Sequence, residues 1–430
     1  MRRLFVFAFV MSAAMPLGAQ SSAEVNGGIQ YNFSSPGARS LGRAGAFIAD
    51  ASDATAAYAN PAGLVNLPER ELSMELRASQ FTHTFADRGH AFGPPSNSHS
   101  DTIAGIREGS LTSRIDNVAF ASVVVPFERF TLAAYRHELV NFEANAKTQG
   151  VFYDLVTPEG KIPGYRQFPA IGSLRLRIAG EGLAAGFRAT PRLSLGIGVR
   201  RYDARLDSTT DRYYPPIPFD GLATYTQLYD IQHQSGHGRA YGLNAGVVFD
   251  FDDRLSVGAS YRQGFSFATT ATNTRDVGTV LHGAFNVPTF YGAGVNVRPN
   301  PQWSVSLDVN HILYSELTRH FVLLFEEEPR YFAPNGVEVR LGSEWLLTRD
   351  QFAWLRVPIT VSVGGWRDPD HTIRVSDLND SQAILFRKGS DDYHVTAGLG
   401  VVIKREAQIH IAYDHGQRQS TGSLSAMVRF

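Results

Sequence analysis

In the segment "QWSVSLDVNH", Trp303, Val305, Leu307 and Val309 fall on one side of an extended chain, and Ser304, Ser306, Asp308 and Asn310 on the other. "EAQIHIAYDH" repeats the pattern, with Ala407, Ile409, Ile411 and Tyr413 opposite Gln408, His410 and Asp414. "RLSVGASYR", "LSLGIGVR" and "VPITVSVGG" read the same way. A period of two, apolar against polar, is the signature of strands with one apolar and one polar face. It predicts about fourteen strands, near 70–82, 115–126, 129–141, 171–188, 192–207, 234–250, 254–268, 278–298, 302–314, 336–347, 357–367, 391–402, 406–414 and 421–430.

The connections decide between a soluble sandwich and a membrane barrel. "PFER", "TPR", "DFDDR", "RPNPQ" and "KRE" are tight turns. Long Gly/Pro/Asp-rich insertions over 83–115, 143–170, 207–234, 315–335 and 368–391 alternate with them. Short turns at one end and long loops at the other are the arrangement of an outer-membrane barrel. Hydrocarbon offers the backbone no hydrogen-bond partner, so a sheet that crosses it must close. The last strand, "GSLSAMVRF", alternates to a terminal Phe430, the form of a recognition signal for outer-membrane assembly machinery. Trp303, Tyr314, Trp366 and Tyr413 lie near strand ends, where aromatic girdles are expected.

Composition narrows the picture. The 430-residue chain carries a formal charge of -1 and no cysteine. Near-neutrality argues against nucleic acid, which needs a clustered basic surface. "MRRLFVFAFVMSAAMPLGAQ" has the form of a secretory signal peptide, cleaved after Ala19 or as far on as Ala23. Beyond it no apolar run is long enough for a membrane helix, and disulfides cannot stabilise the exported chain.

Between that leader and the first strand lies a small-residue segment, "NFSSPGARSLGRAGAFIADASDATAAYANPAGLVNL". Ser40 and Ser52 or Asp53 are candidate helix caps, and Asn60-Pro61 should end the second helix. The segment is too polar for lipid and too poor in large apolar residues to fold alone. An otherwise empty barrel gives it a cavity to fill. The expected organisation is a signal peptide over 1–19, a hatch over 20–66 and a barrel over 67–430.

The hatch segment resembles that of the FadL/TodX family of outer-membrane transporters, in "GRAG", in Ala49-Asp50 and in Asn60-Pro61-Ala62. "YGLNAGVVFDFDDRLSVGASYR", "VPTFYGAGVNVRPNPQWSVSLDV" and the terminal strand resemble it too, while the long loops do so weakly. The resemblance implies a fourteen-strand barrel with an internal hatch. Such a protein takes up long-chain fatty acids or aromatic hydrocarbons passively, through loops, an apolar lumen and a sideways exit at a kink in the third strand. Shielding each CH₂ from water supplies about 0.8 kcal/mol.

On that reading Asn60, Pro61 and Ala62 gate the hatch, Asn60 hydrogen-bonding the wall or simply stopping a helix. Phe33, Phe47 and Ile48 are candidates to line the ligand pocket, or to anchor the hatch. Tyr213, Tyr214 and Phe219, in the apolar loop "DRYYPPIPFDGLATYTQLYD", are candidates for first capture. In the third strand Arg136, His137 and Glu138 cannot all face the lumen, so they mark either the outer rim or a bulge. Arg175, Arg177, Arg200 and Arg262 read as lumen arginines that either hold a carboxylate head group or pair with acids such as Asp203 and Asp308. The expected partners are hydrophobic small molecules, outer-membrane lipid and lipopolysaccharide, with the chain a monomer. No cofactor or metal is implied. The alternative is an aqueous porin with an open bore and no plug. An enzyme is disfavoured because neither G-x-S-x-G nor H-E-x-x-H occurs, and His311, His394 and His410 lack a serine at a telling spacing.

Overall fold

A computed structural model describes residues 33, 35–97, 100–157, 160–216, 222–275, 277–320, 331–376, 384, 386–403 and 406–430. The signal-peptide segment, the start of the hatch and Phe219 lie outside them.

Fourteen antiparallel strands make the wall. They are β1 (Glu71–His90), β2 (Gly105–Pro126), β3 (Phe130–Thr148), β4 (Ala170–Arg188), β5 (Leu193–Tyr213) and β6 (Leu228–Asp250). β7 (Leu255–Arg262 and Phe265–Asn273) and β8 (Val280–Val287 and Phe290–Asn300) are each broken into two arms. β9 (Trp303–Ile312), β10 (Gly336–Leu347), β11 (Ile359–Asp368), β12 (Asp392–Ile403), β13 (Ala407–His415) and β14 (Gln419–Arg429) complete the wall. β14 pairs with β1 from Arg429–Glu71 to Gln419–Phe81, which closes the cylinder and leaves no free edge at the chain ends.

Each strand is inverted relative to a soluble protein. On β1, Glu71, Ser73, Glu75, Arg77 and Ser79 point inward and are buried, while Leu72, Met74 and Leu76 point outward and are exposed. On β5 the outward series runs Leu195, Ile197, Val199 and then Arg201, Asp203, Arg205. That switch marks the upper edge of the lipid-facing band, because a charge in the hydrocarbon is costly. Its neighbours in register are Glu181 on β4 and, one strand further, Arg136 on β3, with Arg201 and Glu181 3.2 Å apart.

Above this charged belt β1 stays paired with β2, and β3 to β6 stay paired with one another, as hydrogen-bonded sheets. Stretches within 83–115, 143–170 and 207–234 that read as loops are therefore partly strand, with Ser110, Thr112, Arg114 and Asp116 facing out of β2. Their polar outer faces hid them, since only water or head groups meet them there. Tyr314 and Trp366 are also not girdle residues. Tyr314 is buried in the upper lumen, and Trp366 turns inward to stack on His394 at 4.0 Å. Exposed Tyr241, Tyr291, Tyr393 and Tyr413 stand on the outer surface instead.

Candidate functional site

The hatch fills the end of the cylinder that carries the short turns. Its helices are α1 (Ala38–Gly42) and α2 (Ala56–Ala59), followed by a 3₁₀ turn over Pro61–Asn66. Ser40 lies inside α1 and does not cap it; Gly37 takes the cap position. Asp53 organises the start of α2 by accepting the Thr55 N–H at 2.9 Å.

Polar side chains on the wall hold this small-residue segment through its backbone. Asp308 of β9 accepts the N–H groups of Phe47 at 2.7 Å and Ile48 at 3.0 Å. Glu71 accepts the Ala54 N–H at 2.7 Å, and Glu75 that of Gly37 at 2.9 Å. Arg340 donates to the Ala44 carbonyl at 2.9 Å. Arg39 forks onto Glu344 at 2.7–3.2 Å, Arg43 meets Asp50 at 2.9 Å, and Arg298 pairs with the same Asp50. Burial raises the Asp50 carboxyl's pKa, but Arg43, Arg39 and Arg298 outweigh it and hold the group below the ordinary carboxylate range.

Asn60 joins hatch to wall. Its amide nitrogen donates to the Ile48 carbonyl at 2.8 Å and to the Val247 carbonyl of β6 at 3.2 Å. Its oxygen accepts the Ala62 N–H at 3.2 Å, so it also caps the 3₁₀ turn, with Pro61 at a position that needs no donor. A Cβ on Gly246 would meet that oxygen at 1.9 Å, and one on Gly196 would meet Pro61 and Ala62 at about 2 Å. Glycine at these two lumen positions is what lets hatch backbone lie flat on the sheet.

Above the hatch the lining becomes apolar. Phe33 and Ile48 belong to one buried cluster with Val140, Phe142, Leu174, Leu176, Ile178, Leu206, Phe267, Phe285 and Phe290. Phe47 does not. It packs with the alanines of α2 in a separate cluster, and Arg39 and Arg43 lie over its ring. Tyr213 and Tyr214 sit at the far end of β5, in edge contacts with Tyr225 and with Phe168 and Tyr229 respectively.

The arginines separate sharply. Arg175 and Arg177 face outward and pair with Glu143 and Glu138 at 3.2 Å, and Asp203 faces outward toward Arg239 and His237. None of the three lines the lumen, because each lies on the odd-numbered outer register of β4 or β5. Arg200 and Arg262 are inside, and Asp308 serves the hatch rather than pairing with them. The sequence could not separate these two pairs without the strand register.

Among the described residues the ladder between β6 and β7 is interrupted from Gly236 to Leu243, and the one between β2 and β3 stops early. β1 and β2 pair along nearly their whole length, and so do β3 and β4. β2 and β3, however, share a ladder only from Pro126–Thr131 to Phe120–His137. At that level Leu139 is extruded as a bulge between Glu138 and Val140, and β3 leans away with β4. Arg136 is thus at the rim and next to a bulge, which unites the two readings of the sequence. The seam above is crossed by two side-chain bonds, Ser113 Oγ to the Glu143 carbonyl at 2.5 Å and Asn117 Nδ2 to the Glu138 carboxylate. Behind it lies a cavity of about 40 Å³ bounded by Arg77, Phe81, Asn117, Glu138, Leu139 and Val140. Phe142 closes its upper side against Phe81, ring centroids 6.0 Å apart.

A closed barrel, apolar outside and plugged inside, has the architecture of an outer-membrane β-barrel. The family described as "Outer membrane protein transport protein (OMPP1/FadL/TodX)" matches residues 172–328, and over that stretch the chain is similar to it. The crystal structure of a Pseudomonas aeruginosa FadL homologue superposes with a TM-score of 0.63 at 14% identity, over 94% of this chain and 99% of that one. The Pseudomonas putida toluene transporter TodX gives 0.56 at 15% identity, over 93% and 99%. A monoaromatic hydrocarbon channel, CymD, gives 0.53 at 13% identity, over 93% and 99%. At such identities the likeness is one of fold. No curated protein matches in sequence.

Proposed function

We propose that the chain passes hydrophobic molecules across the outer membrane without an energy source, binding them above the hatch and releasing them sideways between β2 and β3. The observation that carries this is the seam. The straight path is filled by a hatch held at Asn60, Asp308 and Glu344, whereas the wall gives way where the apolar lumen reaches it. The seam begins level with the Arg136–Glu181–Arg201 belt, so cargo leaves at the upper edge of the lipid band. Hydrocarbon leaving at the foot of the seam reaches the edge of the lipid-facing band, and among the described residues two side-chain bonds between β2 and β3 cross the slit.

Tyr213, Tyr214 and the rings around them form the first contact for cargo, and Asn60, Pro61 and Ala62 set how firmly the hatch sits. Phe33 and Ile48 floor the binding region. Lipopolysaccharide surrounds the charged outer faces of β1 to β6, Phe430 serves assembly, and one chain makes one complete transporter. The work is transport rather than catalysis, since it requires no bond to be made. A porin reading lacks support because the hatch occupies the bore.

Deleting Leu139 tests the route. Without the extra residue β3 can pair with β2 beyond Phe120, so uptake of a radiolabelled long-chain or aromatic substrate should fall tenfold or more while the barrel remains folded. Unchanged uptake would place the exit elsewhere.

A further inference from the structure

Four strands on from the seam, β7 and β8 bend together. Their lower arms pair as far as β8's Phe290, which also meets Arg262 of β7, and their upper arms resume at Phe265 and Val287. At the bend the Gly264 N–H turns to the Thr289 hydroxyl at 3.1 Å. Above it β6 and β7 are joined by two ties. At the foot the Gln263 N–H donates to the Leu243 carbonyl at 2.9 Å, and at the head Thr270–Asn273 pair with Gln232–Ser235. Between the ties Gly236–Gly242 have no ladder partner on β7, although β6 stays paired with β5 throughout. That run is about 20 Å long at the usual rise of a strand. Among the described residues the upper arm of β8 has no strand on its far edge, where the Ala284 N–H donates to the His320 carbonyl at 2.9 Å.

The two strands still touch. Phe267 points inward, 4% exposed, and lies on two glycines of β6. A Cβ on Gly238 would meet the Phe267 Cβ at 3.1 Å, and one on Gly236 would meet its ring at 3.2 Å. Behind it stands Phe285, ring centroids 5.3 Å apart, and both rings belong to the apolar cluster of Phe33, Ile48 and Phe142. One ring on bare backbone, with no hydrogen bond across the run among the described residues, thus separates the apolar lumen from the outside. Structure held by so few bonds opens locally at low cost. We infer that this run is a second side door, an intake slit through which an extended alkyl chain enters the lumen, with Phe267 as its shutter.

Height sets the direction of passage. Leu243 pairs with Val199, the last outward apolar residue of β5, and Tyr241 with Arg201 of the charged belt, so the slit opens above the lipid-facing band. Its outer lips are His237, Arg239 and Tyr241 on β6 and Ser266 and Ala268 on β7, all exposed. Residues 263–274 carry no charge, so the β7 lip offers an alkyl chain no ion to displace. Cargo entering here leaves water for the Phe267–Phe285 cluster, and each methylene withdrawn from water favours that move; passage outward would reverse it. The seam, whose foot meets the lipid band, is the place where release is downhill. The inference rests on the transport reading above and adds an intake that bypasses the loop tips.

The chain has no cysteine, so a disulfide lock can be placed without background. In Gly238→Cys/Phe267→Cys the two Cβ positions are close enough to be bridged after a small shift. Cells that lack a transporter of their own and express this full-length variant take up radiolabelled hexadecanoate in the assay. The oxidised variant should be at least fivefold slower than the same protein after dithiothreitol, and the wild type should respond to neither treatment. Comparing one protein with itself cancels the loss of the Phe267 ring. Equal rates, with the bond confirmed by peptide mass, would overturn the intake slit. Hydrogen–deuterium exchange of the wild type needs no bond to form. Gly236–Gly242 and Phe265–Thr269 should exchange at least tenfold faster than the paired amides of β12 and β13, and protection equal to theirs would also overturn the slit. The lock leaves the seam intact, and deleting Leu139 leaves the slit free. Uptake lost with the lock but kept without Leu139 would retain the slit and remove the seam as exit, and the opposite result would do the reverse.

Discussion

The amide of Asn117 donates to the carboxylate of Glu138 across a seam in which their strands share no backbone hydrogen bond. Arg177 of β4 holds the same carboxylate from the other side at 3.2 Å. One acidic side chain thus bridges three strands at the point where the ladder ends. Asn117→Ala should leave the barrel folded and widen the seam, raising the initial uptake rate about tenfold, as expected for loss of one charge-assisted hydrogen bond of about 1.5 kcal/mol. A timed uptake assay with surface-expression control decides it.

Asn60 is the hinge between hatch, turn and wall. Its replacement by alanine removes three hydrogen bonds, one of them the cap of the 3₁₀ turn, a loss of about 1–3 kcal/mol in hatch seating. Uptake should fall while surface expression stays normal. Gly246→Ala approaches the same contact from the wall and should have a like effect, because its new Cβ would meet the Asn60 oxygen at 1.9 Å.

Planar-bilayer recordings should show little ion conductance for the intact chain. Deleting residues 26–60 should open a bore of porin-like conductance, since it removes Arg39, Arg43, Asp50 and the helices they hold. High conductance before deletion would favour the porin.

Acid should loosen the hatch through Asp50. Its pKa is lower in the folded protein than in the unfolded chain, where it lies near the ordinary value of about 3.9. A depressed carboxyl contributes its full stabilisation above the unfolded value and loses it as pH falls through the folded one. Conductance bursts should therefore appear only below about pH 4. Asp50→Asn should show them at neutral pH, with Arg43 and Arg298 left without their shared counter-ion.

Alternation alone made the fourteen strands legible, and their inner and outer faces where the outer one is apolar, because there each face meets one solvent and a one-residue slip would exchange them. Asn60-Pro61 was equally visible, as a backbone stop that any fold must respect. The upper halves of β2 and β3 were not, since residues such as Arg114 and Glu143 look like loop once the lipid is gone. Phe47 could not be told from Phe33, because which cluster a hatch side chain joins depends on how its backbone turns against Asp308.

Local chemistry, then, determined a closed lipid-facing cylinder with a small-residue stopper, since a two-residue period and the demand for paired backbone leave little else. Where the cylinder gives way was decided only in three dimensions. The Leu139 bulge separates β3 from β2, and the bend at Gly264 and Thr289 lays Phe267 on Gly238 where β6 and β7 lose their ladder. Gly238 and Phe267 are far apart along the chain, and no local pattern records the register that unites them.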